Sequence, residues 1–572
     1  MNIKLPLLLA MMMLLSGFTM SAQGEEDDDT ESLGETSHKA VYKKNEFPST
    51  QECVACHYNH YRKWTVSRHA YAQISPTFLA YQSTLVKLTN GSLGDFCQRC
   101  HSQVGMTNGE DIITSNKNRD DVAMEGVTCV ACHRVSKAYG KITGRFPLEP
   151  GDIKQPIYGP RPGDELMRVL AMQTRPLNVH QEARHLDQLS QPGFCARCHD
   201  VRLVNGFRLE DAFSEYKQTA AAKDGVTCQD CHMGPIPGKP SQYPDMPAAV
   251  VRGKATRPAR HTNHMFVGPD SSIVHPAIFP IDPEVREYAT QQEWLDFDHK
   301  AGWGTEAFEE SDPDESQFVG IWTDVDERYA ARELIDKQQD LLKESHERAT
   351  TLLRNGYGLG SVQVTNTKGD LDFKVEVRNL TDAHSVPTGL IAERNVFLQV
   401  TVRDREGTVV FRSGDLDPNG DVRDAHSKYV HDGKIPRDEQ LFNLRSPFMV
   451  RNAHGGEREQ ILPANYSLDP LIFMRPSPTP AILFGGIREI RLQKKSIEAG
   501  GTRWAKYSVD DKLLTGKKPY RANIKMVAAS LPPHLIDVIS MAGFEYGLSA
   551  RDVSEALLAQ YRVLWEKDIV IE

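Results

Sequence analysis

The 572-residue chain has no cysteine to spare. All ten cysteines lie in Cys-x-x-Cys-His units: Cys53/Cys56/His57, Cys97/Cys100/His101, Cys129/Cys132/His133, Cys195/Cys198/His199 and Cys228/Cys231/His232. With none left over, a disulfide framework is disfavoured, since such frameworks belong to short secreted chains. A zinc site would want a second Cys-x-x-Cys or a His-x-His pair, and would not need a histidine after every second cysteine. Past the N-terminus there is no apolar run of membrane length. The run from Leu5 to Leu15 is itself too short to cross a bilayer. A basic surplus is also missing: the formal net charge is -10, which argues against nucleic acid as a partner.

What is present is one motif used five times. Cys-x-x-Cys followed directly by His is the attachment signature of c-type haem. The two thiols form thioethers to the haem vinyls, and the adjacent imidazole reaches the iron. The expected cofactor is therefore five covalently attached haem c groups, on proximal ligands His57, His101, His133, His199 and His232. Residues 1–24 read as a secretory signal peptide with cleavage after Ala22 or Gly24. No cysteine sits there to carry a lipid anchor, so the mature protein is expected to be soluble and periplasmic, or exported further. Residues 25–48, containing "EEDDDTE", read as an acidic, disordered leader.

The expected fold is multidomain. A mostly helical and irregular multihaem domain spans 49–313, and a long amphipathic helix spans 314–356. The period then switches: Leu371, Phe373, Val375 and Val377 alternate, as do Val396, Leu398, Val400 and Val402, predicting an antiparallel β-sandwich-like domain over 357–535. A C-terminal helical segment follows over 536–572, its helix starting at Ser549 with Asp552 in a capping box and Leu557, Tyr561 and Leu564 on one face. Within the haem part, "FCQRCH" then "EGVTCVACH" is repeated as "FCARCH" then "DGVTCQDCH". This suggests a duplicated two-haem module beside one lone N-terminal motif.

The stretch "CVACHYNHYRKWTVSRHA", the "GVTC" motifs, "NHMFVG" and "NLTDAHSVPTGLIAERNVFLQVTVRDREGTVVFRSG" together resemble the multihaem c-type cytochromes related to the tetrahaem electron carrier of ammonia-oxidising bacteria. The resemblance covers most of residues 50–430. It implies that His69, in Ser-x-His-Ala, is a distal haem ligand; its place 12 residues past His57 suggests that it serves a haem other than that of the first motif. It likewise implicates His264 in "NHMFVG" and His384 in the His-x-x-Pro-Thr-Gly unit. His180 is a further distal candidate from its place before the fourth motif; His185 and His261 are rivals, and His60 carries no assignment. His38, His346, His426, His431, His454 and His534 read as ordinary histidines.

Haem iron held by two histidines has no open site and transfers single electrons. The leading expectation is thus an electron-transfer protein working with redox partners such as other cytochromes or quinol-linked donors, and suited to be a subunit of a complex. The alternative is an oxidoreductase with one open-site haem acting on a small nitrogen or sulfur compound. Pentahaem nitrite reductases usually carry Cys-x-x-Cys-Lys at the catalytic haem, and that motif is absent here. A last candidate is calcium: "DLDPNGDVRDAH" offers Asp415, Asp417, Asn419 and Gly420 of a calcium loop, but has His426 where the closing glutamate belongs.

Overall fold

Two cysteines three apart share one face of a helical turn, so each haem motif wants a short helix. The first lies on helix Thr50–Trp64, capped by Ser49 and Glu52 in a capping box. Its regular dihedrals break at the motif histidine, His57 (φ -108°, ψ 35°). The third and fifth motifs form the helices Cys129–His133 and Cys228–His232. Each follows a Gly-Val-Thr lead-in whose glycine takes a left-handed φ: +67° at Gly126 and +74° at Gly225. The structure, a computed structural model, describes residues 47–572 except 89–90, 92, 136–146, 203–207, 271–287, 290, 368, 392–393, 447, 452–456 and 460–489. The expected signal peptide, the leader up to residue 46, His38 and His454 lie outside the described residues.

The long helix runs Val325–Gly356, capped by the Asp324 side chain on the Asp326 amide. It starts later than the periodicity predicts. Residues Glu315–Gln317 and Gly320–Thr323 instead form 3-10 turns, and Trp322 is fully buried against Trp294, Phe297 and Trp303. Burying that indole in an aromatic cluster outweighs continuing the helix. Further along, Gln338 Nε2 donates to the Thr65 carbonyl (3.2 Å) and the Tyr71 hydroxyl (2.7 Å). Ser345 Oγ donates to the Val66 carbonyl (3.2 Å). The helix thereby braces the chain on either side of His69.

Two antiparallel sheets follow. Strands β1 (Tyr357–Thr367), β2 (Asp370–Asn379), β3 (Asn395–Arg403), β4 (Val409–Ser413), β5 (Thr502–Val509), β6 (Tyr520–Ala529) and β7 (Arg562–Ile571) pair in the orders β5-β2-β1 and β4-β3-β6-β7. Alternate residues of both sheets meet in one core: Phe373, Val375 and Val377 of β2, Leu398, Val400 and Val402 of β3, and Ile524 and Met526 of β6 are all at most 2% exposed. The C-terminal expectation needs correcting. The helix Ala550–Leu558 does begin behind a Ser49-like cap, Ser549 with Asp552, but it ends before Tyr561 and Leu564. Residues 562–571 form strand β7 on β6, because β-branched and aromatic side chains there complete a sheet edge. The described residues form one compact unit, so the haem-bearing part and the sheets are not separate bodies. Among the described residues no helix is long and apolar enough to cross a membrane.

Candidate functional site

All ten cysteines and all five motif histidines line one continuous cavity of about 1260 Å³. That exceeds the roughly 300–1,000 Å³ of a pocket for one small ligand. Six further histidines line it as well: His60, His69, His180, His261, His264 and His384. His346, His426, His431 and His534 do not.

The backbone prepares the motif imidazoles for metal. Nδ1 donates to a carbonyl at four of them: His57 to Ala248 (2.8 Å), His101 to Ala72 (3.0 Å), His133 to Tyr158 (2.7 Å) and His232 to Val267 (2.7 Å). A proton fixed on Nδ1 leaves the Nε2 lone pair free for a metal. Burial pushes His101 and His232 down to about 4, so both are neutral, as ligation requires.

Three pairs of rings face each other across the cavity. His57 and His180 lie 6.2 Å apart by centroid at 20°, His232 and His384 6.4 Å apart at 18°, and His69 and His199 6.3 Å apart at 50°. A metal–imidazole bond is about 2 Å, so two rings on one metal stand about 6.3 Å apart. Each pair leaves room for one metal ion. Burial lowers His69 to about 3 and His180 to about 4, keeping both neutral. His384 Nδ1 donates to the Ser385 carbonyl (2.8 Å), while the buried His180 Nδ1 has no hydrogen-bond partner.

Among the described residues no histidine ring pairs with His133 at that spacing, but a histidine cluster lies near it. His60 packs 4.4 Å from His261 and 4.6 Å from His264. Lys63 Nζ donates to His261 Nε2 (3.1 Å), which occupies the nitrogen a metal would need. His264 Nδ1 donates to the Thr262 carbonyl (3.1 Å), leaving its Nε2 available, and burial and then the neighbouring His133 hold it near 3. His101 differs again: the ring packed on it is Phe78, 3.8 Å away and nearly parallel.

Two expectations do not fit. His185 is 45% exposed, pairs through Nε2 with Asp187 (3.0 Å) and stays off the cavity wall, because its short strand carries it to the surface. The calcium loop is satisfied from within. Asp415 pairs with Arg423 (2.6 Å), and Asp417 accepts from the Asn419 and Asp421 amides (2.8 and 3.0 Å) and from Ser427 (2.6 Å). Its carboxylates cap a turn bridged between Leu416 and Val422 and do not converge on a cation.

Contacts between thiols order the attachment sites. The thiols of different motifs lie beside one another as free cysteines: Cys129 beside Cys53, Cys198 beside Cys100 and Cys195 beside Cys228, while Cys132 lies beside both Cys195 and Cys198. The first motif is therefore not alone, as the repeat suggests, but abuts the third. The reason is local: Glu125, just before the third motif, accepts from the Thr50 amide (2.9 Å) and from Ser49 Oγ at the N-terminus of the first motif's helix. Sequence reasoning gave no sign of Glu125, Phe78 or the four carbonyl acceptors, because none belongs to a motif.

The family model described as cytochrome c554 and c-prime matches residues 52–134. No curated protein matches the chain. Among solved structures, the chain is similar to a penta-heme cytochrome c552 from Thermochromatium tepidum, at 16% identity and a TM-score of 0.44, over 91% of this chain and 98% of that one. With the attachment motifs lining one cavity, the family match supports a multihaem c-type cytochrome with covalently bound haem and redox partners.

Proposed function

We propose that the chain is an exported electron-transfer protein with five haem c groups, held mainly by histidine pairs. The observation that carries this reading is the set of three ring pairs, His57–His180, His69–His199 and His232–His384, at 6.2–6.4 Å. His264, which lies near His133, is the candidate ligand for the third motif, favoured over His261 by the occupied Nε2 of His261. When bound, haem supplies one-electron chemistry at iron. The chain's own residues orient the imidazoles, keep them neutral and exclude water from the metal positions. The thiol contacts support an order of sites running first, third, fourth, fifth, with the second branching at the fourth.

One observation favours a second reading, an oxidoreductase with a single open metal position. Among the described residues neither His101 nor His133 has a histidine ring paired at ligation spacing, but His264 lies near His133, whereas Phe78 stacks on His101. A small nitrogen or sulfur compound is the substrate class for such a position. The test is a pyridine-haemochrome count followed by EPR of the ferric holoprotein with and without cyanide, nitrite and hydroxylamine. Five haems, with low-spin signals unmoved by all three, support the carrier. A high-spin signal of one haem that shifts with these ligands, together with turnover of hydroxylamine or nitrite, favours the oxidoreductase. Fewer than five haems overturns the count.

A further inference from the structure

His384 sits on a loop of the β-sheet part, yet its partner His232 belongs to the haem-bearing part, so something must fix one against the other. The loop is tied internally by Asn379, whose Nδ2 donates to the His384 carbonyl (2.8 Å) and to the carbonyls of Ile497 and Glu498 (3.0 Å each). A tie from this loop to the other part is made by a carboxylate. Glu215, on the short helix Ala212–Tyr216 between the fourth and fifth motifs, accepts at Oε2 from the Ser385 amide (3.2 Å) and the Thr388 hydroxyl (2.8 Å). Its Oε1 accepts from Lys494 Nζ (2.9 Å), which also donates to Asp211 (2.6 Å). Lys494 lies three residues before Ile497, which forms an isolated antiparallel bridge with Val386 of the same loop, the two exchanging both backbone hydrogen bonds (2.8 and 2.9 Å).

We propose that Glu215 is the positioning residue that latches the 384–388 loop, and with it the His384 imidazole, onto the fifth haem motif. The proposal rests on the reading of His384 as the ligand opposite His232. All three partners of Glu215 are donors, so an acceptor-only carboxylate suits the position, and an amide there would set N–H against N–H. The side chain is only 11% exposed, which shields these bonds from water. The latch also gives a physical role to the Thr of His-Ser-Val-Pro-Thr-Gly, whose hydroxyl donates to Glu215, while Ser385 contributes its backbone amide.

The experiment compares holoprotein variants His384→Ala, Glu215→Ala and the isosteric Glu215→Gln by EPR and by visible spectra with added imidazole. His384→Ala should turn one haem high-spin. Glu215→Ala and Glu215→Gln should give a high-spin fraction at that same haem, reversed by imidazole, with the other haems unchanged. A wholly low-spin Glu215→Gln beside a high-spin His384→Ala overturns the latch and leaves the ligand reading standing. A wholly low-spin His384→Ala overturns the ligand reading itself. Should Glu215→Ala not accumulate, Glu215→Gln and Thr388→Val, which removes one donor with little change of volume, decide the question by the same signal.

Discussion

Replacing His69 with alanine deletes one ring of the 6.3 Å pair with His199 and leaves the first motif's own pair intact. The expected result is one new high-spin haem at the fourth motif, detected by EPR, while His185→Ala keeps the wild-type spectrum because its imidazole is at the surface with Asp187. A low-spin His69→Ala protein would sink the assignment. At this scale the sequence was most informative where chemistry is local. Cysteines three apart and a histidine directly after them announce themselves. His69 could be named as a candidate ligand from the resemblance, but the ring that faces it could not, since His199 is brought to it only by folding. His185 and His261 show the limit: spacing cannot tell a buried imidazole from one paired with Asp187 or occupied by Lys63.

Among the elements, the Gly-Val-Thr lead-in of the third motif is a joint. Gly126 has a left-handed φ, and a Cβ there would meet the His69 carbonyl oxygen at 2.4 Å, while Val127 N donates to that same oxygen (2.9 Å). Trp64 Nε1 donates to the Val127 carbonyl (2.9 Å), closing the joint from the first motif's helix. Gly126→Ala should therefore cost about 1–3 kcal/mol, through backbone strain and displacement of the His69 segment. Urea unfolding followed by circular dichroism measures the loss, and a high-spin fraction appearing in the same variant would show that the strain reaches His69. Gly225, in the matching position of the other repeat, meets nothing within 4 Å, so Gly225→Ala should cost only its left-handed φ. The strands were legible because alternation is a local signal. The start of the long helix and the final strand were not, because Trp322 and residues 562–571 respond to an aromatic cluster and to β6.

For the molecule as a whole, acid should weaken the sheet part before its carboxylates titrate. His426 is buried 5.1 Å from the His534 ring, and burial, then Arg445, hold it near 4. An unfolded histidine titrates near 6.5. Between pH 6.5 and 4 the unfolded chain takes up a proton that the folded chain does not, so stability falls as pH drops through that window, by up to roughly 3 kcal/mol. Although burial opposes it, Arg445 and His426 hold the Asp424 carboxyl far below its usual range, so its own contribution is lost only below about pH 4. His426→Gln should flatten the decline of the urea midpoint between pH 6.5 and 4; an unchanged slope would show that His426 does not cause it.

The sequence by itself determined where the Cys-x-x-Cys-His units lie and that the chain changes from helical to alternating strand patterns, because motif spacing and side-chain periodicity are properties of neighbouring residues. Which imidazoles face each other, that the first motif abuts the third and not a module of its own, and that Glu215 ties the His384 loop to the fifth motif were decided by tertiary structure alone. Those relations join residues more than forty, and mostly more than a hundred, positions apart. Only packing of the long helix and the two sheets around one cavity brings such residues to within a hydrogen bond, or to the spacing of two ligands on one metal.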